Sequence, residues 1–217
     1  MNSIVWTKHP ATGKPLICIA GHKPKQVQIL DIETGAQVRT LVGHGRGIND
    51  LAVSPLCTSL LASAAEDHTI RLWNLDAKYE KQPCVAMFAG EGHKMPILAI
   101  TFHPNGCWLL SGGIDTAVCL WAVPTLAELD RDQDSTLSHQ DPKTIYYPHF
   151  HSTEVHDNYV DCLAFYGDLI ISRSAKDPNG KSKTNEILLW KIDGFVSDEA
   201  PPDEPPCLLY TSPSPRD

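Results

Sequence analysis

The chain has 217 residues, 42% of them hydrophobic, and a net charge of −8 at pH 7, enough for one substantial core or two small ones. The acidic balance argues against a non-specific grip on nucleic-acid backbone. No apolar run approaches the ~18 residues of a membrane span, Met1-Asn2-Ser3 does not open a signal peptide, and the seven cysteines show no paired metal-ligand spacing and read as reduced, mostly buried thiols. The expectation is a soluble intracellular protein.

Residues 4–42 read as a first four-stranded unit. Residues 4–6, 16–20 and 27–31 are short apolar strands, the loop between the first two carries Pro10 and Gly13, and Glu33-Thr34-Gly35 turns the chain into an outer strand over 37–42. Gly43-His44 then opens a second unit, 43–89, with strands at 48–53, 60–64, 69–73 and 84–88. Gly92-His93 opens a third, 90–147. Its inner strand, 97–102, is apolar on both faces, as a strand covered on both sides must be. A helical turn or two over 125–129 and an acidic solvated insertion over 130–141 interrupt the rhythm, and strand resumes at 144–147. A fourth unit, 148–192, has Val155-His156 in the Gly-His place, strands over 159–165 and 169–174, and a closing strand over 187–190. Residues 196–217 form a Pro-rich acidic tail that cannot be a central strand, and 207–217 reads as non-native adaptor sequence.

The units are copies. His44, Ser63, Asp67 and Trp73 recur as His93, Ser111, Asp115 and Trp121, 49 residues on at the His (93 − 44) and 48 at the Trp (121 − 73). Gly-His near the start and Trp near the end of a repeat of roughly 40–50 residues is the sign of a WD-type propeller blade. The fold class is therefore all-β, a WD-repeat β-propeller with about four blades. Trp donates only, Asp accepts only, and His and Ser do both, so each set can form one closed hydrogen-bonded chain. A set repeated in register argues for architecture, not for a Ser-His-Asp catalytic triad. The fourth copy keeps His156, Ser172 and Trp190, but Thr184 stands where the Asp belongs, so its network is expected to be incomplete.

Other candidates are weaker. His149, His151 and His156 lack the Cys or carboxylate that would complete a metal site. Asp130 to Asp134 lacks the Gly and distal Glu of a Ca²⁺ loop. Arg173, Lys176, Lys181 and Lys183 read as a solvated basic loop, and Gly112-Gly113 lacks the Lys of a phosphate loop. No cofactor, metal or catalytic constellation is expected.

Residues 146–174, including Tyr147-Pro148-His149-Phe150, Val155-His156-Asp157-Asn158-Tyr159-Val160-Asp161-Cys162 and Gly167-Asp168-Leu169-Ile170-Ile171-Ser172-Arg173-Ser174, resemble the Polycomb WD-repeat proteins of the embryonic ectoderm development / extra sex combs family. Residues 41–51 and 67–74 agree with it. The resemblance implies four blades of a seven-bladed ring. It also implies a nuclear, non-catalytic subunit of Polycomb repressive complex 2, partnered by a SET-domain histone methyltransferase and other Polycomb subunits, with no membrane or sequence-specific nucleic-acid partner. It implies a reader of the histone H3 tail whose aromatic cage holds methylated lysine by cation–π attraction; the family's cage Tyr before the first Gly-His falls at Leu41. A generic WD adaptor, such as a ubiquitin-ligase substrate receptor, is the alternative on the repeats alone.

Overall fold

The computed structural model describes residues 2–131, 141–175, 186–199 and 201–202. The expectations for 132–140, for the basic loop beyond Arg173 with Thr184, and for most of the C-terminal tail lie outside these residues.

Four sheets stand side by side, antiparallel except for one outer pair in the second. Blade 1 is β1 (Ser3–Lys8), β2 (Pro15–Ala20), β3 (Gln26–Asp31) and β4 (Gln37–Val42), paired in chain order. Blade 2 is β5 (Ile48–Val53), β6 (Leu60–Ala65), β7 (Ile70–Asn74) and β8 (Cys84–Phe88). Blade 3 begins with β9 (Ile97–Phe102), β10 (Trp108–Gly113) and β11 (Val118–Ala122), followed by a one-and-a-half-turn helix, α1 (Leu126–Arg131). Thr125 and Glu128 form a reciprocal cap at its start: the Thr125 amide donates to Glu128 Oε2 at 2.7 Å, and the Glu128 amide donates to Thr125 Oγ1 at 3.3 Å.

The next strand, β12 (Lys143–Ile145), does not extend blade 3. It runs back and pairs in parallel with β8, as a fifth strand of blade 2. The outer strand of blade 3 is instead β13 (Phe150–Ser152), antiparallel to β11. The expected boundary between the third and fourth units at 147 therefore moves beyond 152. β8 and β11 each offer an open edge to a further strand, and β12 takes the first while β13 takes the second. Blade 4 is β14 (Val160–Tyr166), β15 (Leu169–Ser174) and β16 (Ile187–Lys191).

Inner strands β1, β5, β9 and β14 lie next to one another in that order, and the core sits between sheets. Along β6, Leu60, Ala62 and Ala64 pack toward blade 3, while Leu61 and Ala65 pack toward blade 1. Period-2 alternation with both faces covered explains why every residue of this Leu-Leu-Ala-Ser-Ala-Ala strand is buried. In β11, Cys119 and Trp121 face blade 2, and Val118 and Leu120 face blade 4. The outward faces of the two end sheets keep apolar side chains in solvent: Trp6 (65% exposed), Val38 and Val42 on blade 1, and Ile187, Leu189 and Ile171 on blade 4. No helix among the described residues is long and apolar enough to cross a membrane.

Candidate functional site

Each Gly-His lies in the loop that enters a blade, and each Asp lies in the tight turn between that blade's second and third strands. The turn is built by the carboxylate: Asp67 accepts from the Thr69 amide at 3.2 Å, and Asp115 from the Ala117 amide at 3.3 Å. Both turns put a non-glycine residue in the left-handed region, His68 at φ 67° and Thr116 at φ 62°.

In blade 2 the Trp73 indole donates to Ser63 Oγ at 2.8 Å. The Ser63 hydroxyl is then free to donate to His44 Nε2, also at 2.8 Å, and His44 Nδ1 donates to Asp67 Oδ2 at 3.0 Å. Gly45 N–H and Thr69 Oγ1–H add donors to the same carboxylate at 2.9 and 2.7 Å. Blade 3 repeats the chain: Trp121 to Ser111 at 2.9 Å, Ser111 to His93 at 2.8 Å, His93 to Asp115 at 3.0 Å, with Lys94 N–H donating to Asp115 at 2.7 Å. Burial alone would push the Asp67 and Asp115 carboxyls up. The facing histidines and backbone donors win, and hold both below the ordinary value of 3.8.

Blade 4 has Trp190 to Ser172 at 2.9 Å and Ser172 to His156 at 2.7 Å. There the chain stops: His156 Nδ1 is buried with no partner among the described residues. Burial lowers the His156 pKa ahead of any raising charge, which keeps the ring neutral at pH 7.

These networks hold a shape and offer no reactive geometry. Every serine oxygen in them is engaged by a Trp donor and a His ring, and Ser63, Ser111 and Ser172 are fully buried. Each network lies on the face toward the preceding blade, because Trp73 packs against blade 1 and Trp121 against blade 2. It therefore locks the loop arriving from one blade onto the sheet of the next.

Leu41 is a core residue. It pairs with Val27 on β3, is 1% exposed, and packs in the cluster that includes Leu16, Ile48 and Trp73. Its side chain points into the core between blades 1 and 2 and has no aromatic face. The alternation of β4 sends Arg39 and Leu41 inward and leaves Val38 and Val42 outward. His149 and His151 flank Phe150 on β13, and His149 Nε2 is taken up by the Pro202 carbonyl at 3.3 Å. Arg173 pairs with Asp161 through two bonds of 2.8 and 3.0 Å.

One residue with a structural role was missed. Asp50, on the inner strand of blade 2, accepts from Ser3 Oγ of blade 1 and from the Ile100 amide of blade 3, each at 2.9 Å. Burial raises its pKa, against the pull of those donors. The signal was available: a carboxylate on an inner strand, covered by neighbouring blades, needs partners.

The WD domain, G-beta repeat family matches residues 35–74 and 82–122, a unit shifted by one strand from the structural blade. The chain is 46% identical over 198 residues to Polycomb protein EED of Chaetomium thermophilum, covering 91% of this chain and 32% of that relative. It is 32% identical over 194 residues to Polycomb protein esc of Drosophila virilis, covering 86% and 43%. A solved structure of ctPRC2 in complex with H3K27me3 and H3K27M superposes with TM-score 0.80 at 46% identity, covering 92% of this chain and 38% of that one. The chain thus spans a third to somewhat under half of the relatives it matches.

Proposed function

Because this chain belongs to the EED/ESC family of Polycomb WD-repeat proteins, we propose that it serves as a non-catalytic scaffold and histone-tail-reading subunit of a Polycomb repressive complex 2-type histone H3 lysine methyltransferase. It works in the nucleus, in transcriptional repression, with a SET-domain subunit supplying the chemistry. The observation that carries this reading is the 46% identity to a Polycomb EED protein over 91% of the chain. The repeats by themselves would serve a ubiquitin-ligase receptor equally well, and residues 146–174 favour the Polycomb assignment.

The blades contribute rigidity to this role. Three stacked cores and the Asp50 bridge fix the strands, and fixed strands leave the loops free to carry binding. Methyl-lysine contact comes from aromatic residues at other positions, since position 41 is a buried Leu. The test is quantitative mass spectrometry of histone H3 after disruption of the gene. A fall in trimethylated H3 lysine is expected; unchanged methylation with the protein gone contradicts the reading.

A further inference from the structure

The two end sheets each leave one side in solvent, and the two sides are of opposite kind. Blades 2, 3 and 4 turn their Trp-bearing side toward the preceding blade, and blades 1, 2 and 3 turn their other side toward the following one. Blade 1 therefore has its leading side open, and blade 4 its trailing side.

The trailing side of blade 4 repeats a side that blade 2 buries. Counted from the network Ser and Trp, Leu60, Ile70 and Leu72 of blade 2 recur as Leu169, Ile187 and Leu189 of blade 4. Under blade 3 the first three are buried. In blade 4 Ile187 is 71% and Leu189 63% exposed. Ala164 pairs with Ile171 and Ile171 with Leu189, so one apolar row crosses the sheet on this side. Arg173, on the same side, already holds Asp161 through two bonds and brings no unpaired charge to a junction.

The leading side of blade 1 is apolar as well. Trp6 pairs with Ile17 and Ile17 with Leu30, while Ile4 pairs with Ile19. Val5, Leu16, Cys18 and Ile29 alternate with these and point into the core with blade 2. Leu30 stands in the Trp place, and by strand register Ile19 stands where blades 2 and 3 have Ser63 and Ser111. At the internal junctions a Ser and a Trp meet a His that the connecting chain delivers. With Ile and Leu in those two places, blade 1 needs no such loop. Apolar contact alone covers it, and the covering blade need not be linked to it by chain.

Repeat units that lack polar outer caps are covered by further units. We propose that the 217-residue chain associates head to tail with a second copy of itself. The trailing side of blade 4 on one copy covers the leading side of blade 1 on the next, as blades 2 and 3 stack within one chain. The second copy is the occupant because it carries both complementary sides, and the junction continues one the chain already uses. Such a contact is heterologous, so each added copy again presents both open sides. The inference rests on the sheets alone and does not depend on the Polycomb reading.

The test is sedimentation velocity of the 217-residue chain over a series of concentrations. The wild-type mass rises with concentration beyond a pair. Trp6→Glu spoils the blade 1 side alone, and Leu189→Glu the blade 4 side alone. Both side chains lie mostly in solvent within one chain, so both variants keep the fold, as circular dichroism checks. Each variant by itself sediments as a single chain, its self-association weakened about a hundredfold by a carboxylate in an apolar junction. Mixed in equal amounts the two variants form a discrete pair and stop there, since each keeps the side that the other has lost. Ile187→Glu replaces Leu189→Glu if that variant misfolds. A wild-type chain that stays a monomer would assign these sides to other blades or partners and overturn the proposal. So would either variant associating by itself, or a mixture that remains two monomers.

Discussion

The Trp121 indole lies so close to Gly92 that a Cβ at that position would stand 2.4 Å from ring carbons Cζ2 and Cη2. The glycine of Gly-His is therefore a packing requirement: the ring that donates to Ser111 needs the space. Its blade-2 counterpart is looser. A Cβ on Gly43 meets Arg71 Nη1 at 2.6 Å, the far end of a flexible side chain, and Trp73 Cη2 only at 3.1 Å. Gly92→Ala should cost about 2–3 kcal/mol as an overpacking change and Gly43→Ala about 1 kcal/mol. Urea unfolding of the two variants checks the order, and equal costs would count against it.

The networks predict a difference between blades. His93→Ala strands Ser111 and leaves the half-buried Asp115 without its principal donor, whereas His156→Ala removes a ring whose Nδ1 lacks a partner among the described residues. The first should cost about 2–4 kcal/mol and the second about 1–2 kcal/mol. Asp115→Ala should cost about 1–3 kcal/mol by the same reasoning. Thermal melts of the three variants decide it, and an Asp115→Ala variant that melts with the wild type contradicts a working network.

Acid should expose the same carboxylates. Asp67 and Asp115 have folded-state pKa values below their ordinary 3.8. The stability they add is fully present above about pH 3.8 and is lost as pH falls from there through the folded values. Asp50 acts with the opposite sign. Its pKa is raised, so the fold favours its neutral form, and lowering the pH through that raised value relieves a burial cost. Melting temperature measured from pH 6 to pH 2.5 should drop most steeply below about pH 4. In an Asp67→Asn/Asp115→Asn double variant that drop should flatten, and an unchanged slope would refute the assignment.

Thr116 sits at φ 62° in the turn after Asp115, a costly place for a β-branched residue. Its hydroxyl gains only a long, exposed contact of 3.3 Å to the Thr153 carbonyl. Thr116→Gly should raise stability by about 1 kcal/mol through release of the left-handed strain. A lower melting temperature would show that the hydroxyl contact matters more than the strain.

The blade repeat was legible because it is written in polar residues at fixed spacing, and polar residues are placed by hydrogen-bond geometry. His93, Ser111, Asp115 and Trp121 meet where that spacing puts them. The strands of blades 1 and 2 were legible from apolar runs cut by Gly and Pro. What the sequence hid depends on long-range choice. Lys143–Ile145 and Phe150–Ser152 are both short and of mixed polarity. Nothing local says that the first crosses to β8 and the second to β11. Leu41 was assigned by position in a resemblance, while its exposure is set by which face of β4 meets blade 2. In the fourth blade, where Thr184 stands in the Asp place, His156 Nδ1 has no partner among the described residues. The fold-back of the segment after β16 was not readable, since it rests on a bond between residues some 90 apart, Asn105 to Ser197.

Membership in a histone-methylating repressor complex is decided by affinity purification of the endogenous full-length protein from nuclei, with mass spectrometry of what stays bound. The prediction is a SET-domain histone methyltransferase in near-stoichiometric yield. Recovery of ubiquitin-ligase subunits with no SET-domain protein would contradict it.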